Sequence, residues 1–214
     1  MVYKVLDIVA KVLSVVLYPL FVPTYGIALF CAMQTQHTGA PIHWIWITIA
    51  IVGTLLLTCI LPISAIWILM KQGKVKDLQI EDASERTMPY IYAFMGFVFW
   101  CYLMIQVLHA PRYLCAIAIG ATLAIGIVAL INRRWKISAH LTGIGGLVGG
   151  VFCYCLGIGA IPTIGTLVLW LGLSWILMWA RLYLHAHTSA QVCAGWLLGM
   201  SCTFLPYWIL SYAA

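Results

Sequence analysis

Between Val5 and Ala213 the chain is a succession of long apolar runs broken by a few short polar segments. A helix needs about 20 apolar residues to cross a hydrocarbon core roughly 30 Å thick. Runs of that length dictate an all-α, polytopic membrane helical bundle of about seven transmembrane helices, counted as six to seven. Composition agrees: 64% of residues are hydrophobic, 7% are charged and mean hydropathy is +1.06. A soluble domain would carry about a quarter charged residues. The 214 residues suit one integral membrane domain, 1–214.

The first run extends from Val5 to Met33 and contains Pro19 and Pro23, which predict a kink or a partly re-entrant course. Lys4 and Lys11 lend its start the look of a signal peptide. The run continues to Met33 and no soluble stretch follows a small-residue cleavage site, so an uncleaved first span is expected. Further spans are predicted over Ile42–Met70, with a kink at Pro62, and over Met88–Leu108, Tyr113–Asn132, Leu141–Gly159, Thr163–Tyr183 and Ser189–Ala213. Gly145, Gly146, Gly149 and Gly150, and then Gly195 and Gly199, predict close helix packing. The tryptophans Trp44, Trp46, Trp100, Trp135 and Trp208 suggest interfacial belts. All eight cysteines sit in apolar runs or at their ends, without zinc-type spacing, and read as small apolar fillers. No metal site or cofactor is expected.

Three polar islands remain: 71–86, 133–140 and 181–189. Seven spans put them and the N-terminus on one side of the membrane. Ten of the 11 Lys and Arg residues fall there, Arg112 being the exception. By the positive-inside rule that side is cytoplasmic. Ionisable groups beside a membrane core are costly and mark functional sites. The islands offer cations (Arg86, Arg181, Lys76, Lys136), a hydroxyl (Ser138) and two imidazoles (His140, His187). Arg forks match phosphate oxygens, and two histidines can divide nucleophilic and general-acid work. An anionic, phosphate-bearing substrate is therefore expected.

The spacing of these residues resembles the type 2 phosphatidic acid phosphatase superfamily, whose pattern is Lys-x6-Arg-Pro, then Pro-Ser-Gly-His, then Ser-Arg-x5-His-x3-Asp. Ala180-Arg181, five residues, His187, three residues and Gln191 reproduce the third part. Ile137-Ser138-Ala139-His140 keeps Ser and His of the second. Arg86 stands for the Arg of the first, with Pro89 three residues on and Gln79 where Lys is expected. The resemblance covers about 76–199.

It implies that His187 attacks phosphorus to form a phosphohistidine and that His140 protonates the leaving alcohol. Arg86, Arg181 and Ser138 would hold the phosphate, with Lys76 a substitute for the missing Lys and Lys136 near enough to touch a headgroup. Gln191 takes the place of the carboxylate that orients the nucleophile, and being neutral it stabilises an imidazolium less. The implied activity is metal-independent removal of a phosphate monoester or diphosphate from a lipid. The implied setting is the bacterial inner membrane, where relatives often face outward, against the charge count.

Bland readings stand beside these. Arg181 can snorkel at a helix end, His140, His185 and His187 can be interface histidines, and Arg133, Arg134 and Lys136 can simply set topology. Asp77, Glu81, Asp82 and Glu85 read as a solvated helix face. A binding or transport protein that kept the anion site and lost catalysis is the main alternative function. A haem bundle using His140 and His187 suits a dense Arg/Lys shell poorly. The expected partners are a lipid phosphate and membrane lipids, not nucleic acid; oligomeric state is open.

Overall fold

The computed structural model describes residues 2–38, 42–76 and 85–212. Within them the chain forms eight helices: α1 (Val2–Val16), α2 (Val22–Thr38), α3 (Trp44–Lys71), α4 (Thr87–Val107), α5 (Arg112–Ile131), α6 (Ala139–Gly157), α7 (Ile164–Tyr183) and α8 (Ser189–Tyr212). Six of them, α3 to α8, are long and apolar enough to cross a membrane. The protein is an all-helical integral membrane protein.

The predicted first span is two helices. Pro19 has no N–H to donate and biases Tyr18 away from helical geometry, so α1 stops at Val16 and the chain turns through Leu17–Phe21 before α2 begins. Neither piece alone reaches 18 residues. α2 also runs past Met33, the expected end of the first run, as far as Thr38. On α1, Lys4, Asp7, Lys11 and Ser14 recur every three or four residues and make one polar stripe, with Lys11 Nζ 2.7 Å from Asp7 Oδ2. Val5, Ile8, Val12 and Val15 form an exposed apolar face of the same helix, whereas Ala10 and Ser14 are buried.

α3 runs on through Pro62. The proline leaves the Thr58 carbonyl without its usual donor, and the helix widens into a π segment over Leu56–Ile60. Thr58 Oγ1 lies 2.9 Å from the Thr54 carbonyl and 3.3 Å from that of Leu20, which ties the α1–α2 elbow to mid-α3.

α6 is the hub. Its span is 67% buried against 17–39% for the others, and it packs on α2, α5, α7 and α8. The glycines explain how. A Cβ on Gly145 would fall on the Trp196 carbonyl, one on Gly149 on the Thr203 hydroxyl, and one on Gly199 on the Thr142 carbonyl. α6 and α8 therefore approach backbone to backbone. Trp100, expected in an interfacial belt, is a correction. It is 1% exposed and donates its indole N–H to Thr54 Oγ1 at 2.8 Å, because α4 turns that position toward α3.

The two ends of the bundle are distinct. At one, Trp46 donates to the Leu108 carbonyl and Tyr113 to Gln34 Oε1. At the other, the start of α4, the end of α5, the start of α6 and the end of α7 come together.

Candidate functional site

Ser138 caps α6. Its hydroxyl accepts the Leu141 N–H at 3.4 Å, its backbone N–H donates to the Gln191 carbonyl, and it is fully buried. A Cβ on Gly195 would come within 2.5 Å of the Ser138 carbonyl, so only glycine lets α8 pass this close. Capping satisfies one of the orphan N–H groups of the helix start. The remaining first-turn amides leave a partial positive charge that favours anions.

His140 follows on the first turn of α6. Its Nε2 lies 3.0 Å from the Ser14 carbonyl of α1, and its ring meets the Tyr18 ring edge to face with centroids 5.5 Å apart. A carbonyl oxygen only accepts, so Nε2 carries the proton. Nδ1 is then the nitrogen left for acid–base work.

His187 sits in the turn between α7 and α8. Its Nδ1 is 3.1 Å from the Lys136 carbonyl, which by the same reasoning makes Nδ1 the protonated nitrogen and leaves the lone pair on Nε2. Burial first, and the Arg181 guanidinium second, push its pKa down from 6.5 to about 4. The ring is thus neutral at pH 7, the form a nucleophile requires.

Arg181, in the last turn of α7, is the electrostatic neighbour of His140, His187 and Tyr18. Its Nε is buried and has no hydrogen-bond partner among the described residues. A buried donor left unmade costs about 1–3 kcal/mol, more when charged, and native proteins rarely tolerate one without a functional reason.

Gln191 has two roles. Its Oε1 accepts the Thr188 N–H at 3.1 Å, while its own N–H donates to Thr188 Oγ1 at 3.4 Å. This is the reciprocal capping box of a Thr-x-x-Gln sequence at a helix start. The same side chain lies beside the His187 ring.

Arg86 is buried at the start of α4 and donates from an NH group to Asn132 Oδ1 at 3.4 Å. Asn132 Nδ2 donates to Tyr90 Oη at 3.2 Å. Tyr90 is an electrostatic neighbour of Arg86 and of Tyr18, and Tyr18 of Arg181, so the link from Arg86 to Arg181 runs through two tyrosines. Lys136 is partly buried beside His187. Lys76 is at the surface. Its side chain is 75% exposed and pairs with Glu85 at 3.4 Å, while its backbone N–H donates to the same carboxylate at 2.9 Å. Gln79, Asp77, Glu81 and Asp82 lie outside the described residues. His185 occupies a left-handed turn (φ 50°) on the surface.

His140, His187, Arg181, Ser138, Gln191 and the Lys136 backbone therefore form one cluster, with Arg86 joined to it through Tyr90 and Tyr18. Sequence reasoning missed Tyr18, Tyr90, Asn132 and the Ser14 carbonyl. Only Asn132 carried a signal, a polar residue at the end of an apolar run. Compared with family models, curated proteins and solved structures, the chain matches none.

Proposed function

We propose that this chain is a membrane-embedded lipid phosphatase of the type 2 phosphatidic acid phosphatase kind, working through a phosphohistidine. The reading rests above all on Arg181, whose guanidinium has a buried, unpartnered Nε and stands beside both imidazoles. A phosphate oxygen supplies the acceptor that Nε lacks.

In this reading Nε2 of His187 attacks phosphorus and the bond to the lipid oxygen breaks. The proton of a bound phosphate monoanion passes to the bare Nδ1 of His140 and from there to the departing alkoxide, while Nε2–H stays on the Ser14 carbonyl. Water, deprotonated by the now neutral His140, then attacks the phosphohistidine and frees inorganic phosphate together with His187. Arg181 and the α6 N-terminus offset the charge on the equatorial oxygens. The setting would be the bacterial inner membrane, and the excess of Lys and Arg at the site end supports a cytoplasmic-facing site.

The test is phosphate release by purified protein from phosphatidate, phosphatidylglycerol phosphate, isoprenyl diphosphate and a lipid A phosphate, alongside His187→Ala. Release that survives unchanged in the variant removes the proposed nucleophile. One observation favours a second reading, anion binding without turnover: Gln191 is engaged in a capping box and brings His187 no negative charge. Binding of these lipids with no release from any of them would select it.

A further inference from the structure

Beside the elbow between α1 and α2 lies a mostly apolar cleft of about 550 Å³, lined by Phe21, Leu55, Cys59, Ile60, Ile63, Ser64 and Trp67. Its position relative to the polar cluster is informative. Cys59, on the cleft wall, is an electrostatic neighbour of Tyr18, and Tyr18 meets the His140 ring and neighbours Arg181. Phe21, at the end of the elbow, lines the cleft three residues after Tyr18. Polar cluster and cleft thus share the elbow as a common wall, with Tyr18 as the partition.

We infer that this cleft holds the hydrocarbon chain of the phosphorylated lipid whose headgroup sits at Arg181; the inference rests on the phosphate-site reading above. Three observations select a chain as the occupant. The lining runs along α3 from Leu55 to Trp67, a rise of roughly 18 Å at 1.5 Å per residue, and is apolar but for Ser64, whose hydroxyl is turned onto the Leu61 carbonyl. The cleft follows the π segment, where α3 is widened and the Thr58 hydroxyl holds the Leu20 carbonyl, so the elbow is braced from behind. At the site end of α3, Lys71 lies 3.7 Å over the Trp67 ring, a cation and an amphipathic ring of the kind that marks headgroup depth. An amphiphile with its anion at Arg181 and its chain past Tyr18 along α3 matches this order of cation, partition and apolar wall.

The probe is a long-chain alkylphosphonate, which cannot be hydrolysed at phosphorus, carrying a diazirine on its chain. It is photolysed with the full-length protein in nanodiscs, beside the matched alcohol that lacks the phosphonate. Adducts concentrated on Phe21 and Leu55–Trp67 with the phosphonate, and spread evenly over lipid-facing helices with the alcohol, are expected. Cys59→Trp fills the cleft and should weaken phosphonate binding about tenfold, the equivalent of roughly two buried methylenes, while Cys59→Ala stays near wild type. Equal labelling by both probes, or phosphonate-dependent labelling elsewhere, overturns the inference. The two readings fail separately. Cleft labelling without phosphate release from any lipid removes the phosphatase and keeps the chain site, and release with labelling elsewhere does the reverse.

Discussion

Nδ1 of His187 lies 3.1 Å from the backbone carbonyl of Lys136. This contact joins two polar islands 51 residues apart and sets which imidazole nitrogen is free. The orienting acceptor is a main-chain oxygen held by the short loop between α5 and α6, and Gln191 assists from the next helix. A carbonyl fixes the tautomer as a carboxylate would, but it carries no full charge to stabilise an imidazolium. His187 is accordingly well oriented and weakly basic.

A pH profile should reflect this. The folded pKa of about 4 lies below the ordinary 6.5, so between those values the unfolded chain binds more protons. Folding stability should rise with pH through the window from about 4 to 6.5 and level off above it, as far as His187 is concerned. Unfolding midpoints across this range, wild type against His187→Gln, should show the slope shrink in the variant. An identical slope would remove His187 as its source.

Gln191 separates capping from charge. Gln191→Ala should lose the capping box and cost about 0.5–2 kcal/mol. Gln191→Glu keeps a capping side chain and adds an anion beside His187, so the His187 pKa should rise, as read by NMR titration of its imidazole. Phosphate release should change in Gln191→Glu with little change in unfolding midpoint.

Arg181→Lys retains the charge but has no Nε–H and no fork. Under the phosphatase reading it should lower kcat/KM for a lipid phosphate by about 10²–10³, the scale of removing one transition-state donor. Unfolding midpoints should hold or rise, because the orphaned donor disappears. A stability loss without a change in turnover would make Arg181 structural.

Asn132→Leu removes the partner of two buried groups, Arg86 and Tyr90. Taking this acceptor from a buried guanidinium should cost about 1–3 kcal/mol. Chemical unfolding of the variant in mild detergent measures it, and a change below about 1 kcal/mol would mean that the other contacts of Arg86 suffice.

Gly199→Ala places a methyl on the Thr142 carbonyl. Overpacking of this kind costs about 1–3 kcal/mol, and the backbone shift should also move Ser138, four residues earlier on α6. A lowered unfolding midpoint together with weakened binding of an alkylphosphonate is expected.

Much of the arrangement was legible in the chain. The apolar runs located α3 to α8 within a few residues, because span length and hydrophobicity are local properties. The spacing of Arg181, His187 and Gln191 brought out a turn between two helices, and the glycines on α6 and α8 marked the closest packing. The elbow was half legible: Pro19 signalled a break, but nothing local showed that the break lies against His140. Ser138 was expected at a phosphate and is a fully buried helix cap, the local role its residue type favours. Lys76, expected to substitute for the missing Lys, pairs with Glu85.

The sequence by itself determined an all-helical membrane bundle, the ends of its spans and the residue types available for chemistry, since each follows from hydrophobic length and short-range spacing. Tertiary structure alone decided which nitrogen of each histidine is free, because that depends on carbonyls from Ser14 and Lys136 in other elements. It also decided that Tyr18 meets the His140 ring while Phe21, three residues on, lines an apolar cleft. Backbone acceptors leave no mark in a sequence, since every residue carries one; only packing selects which of them meets an imidazole.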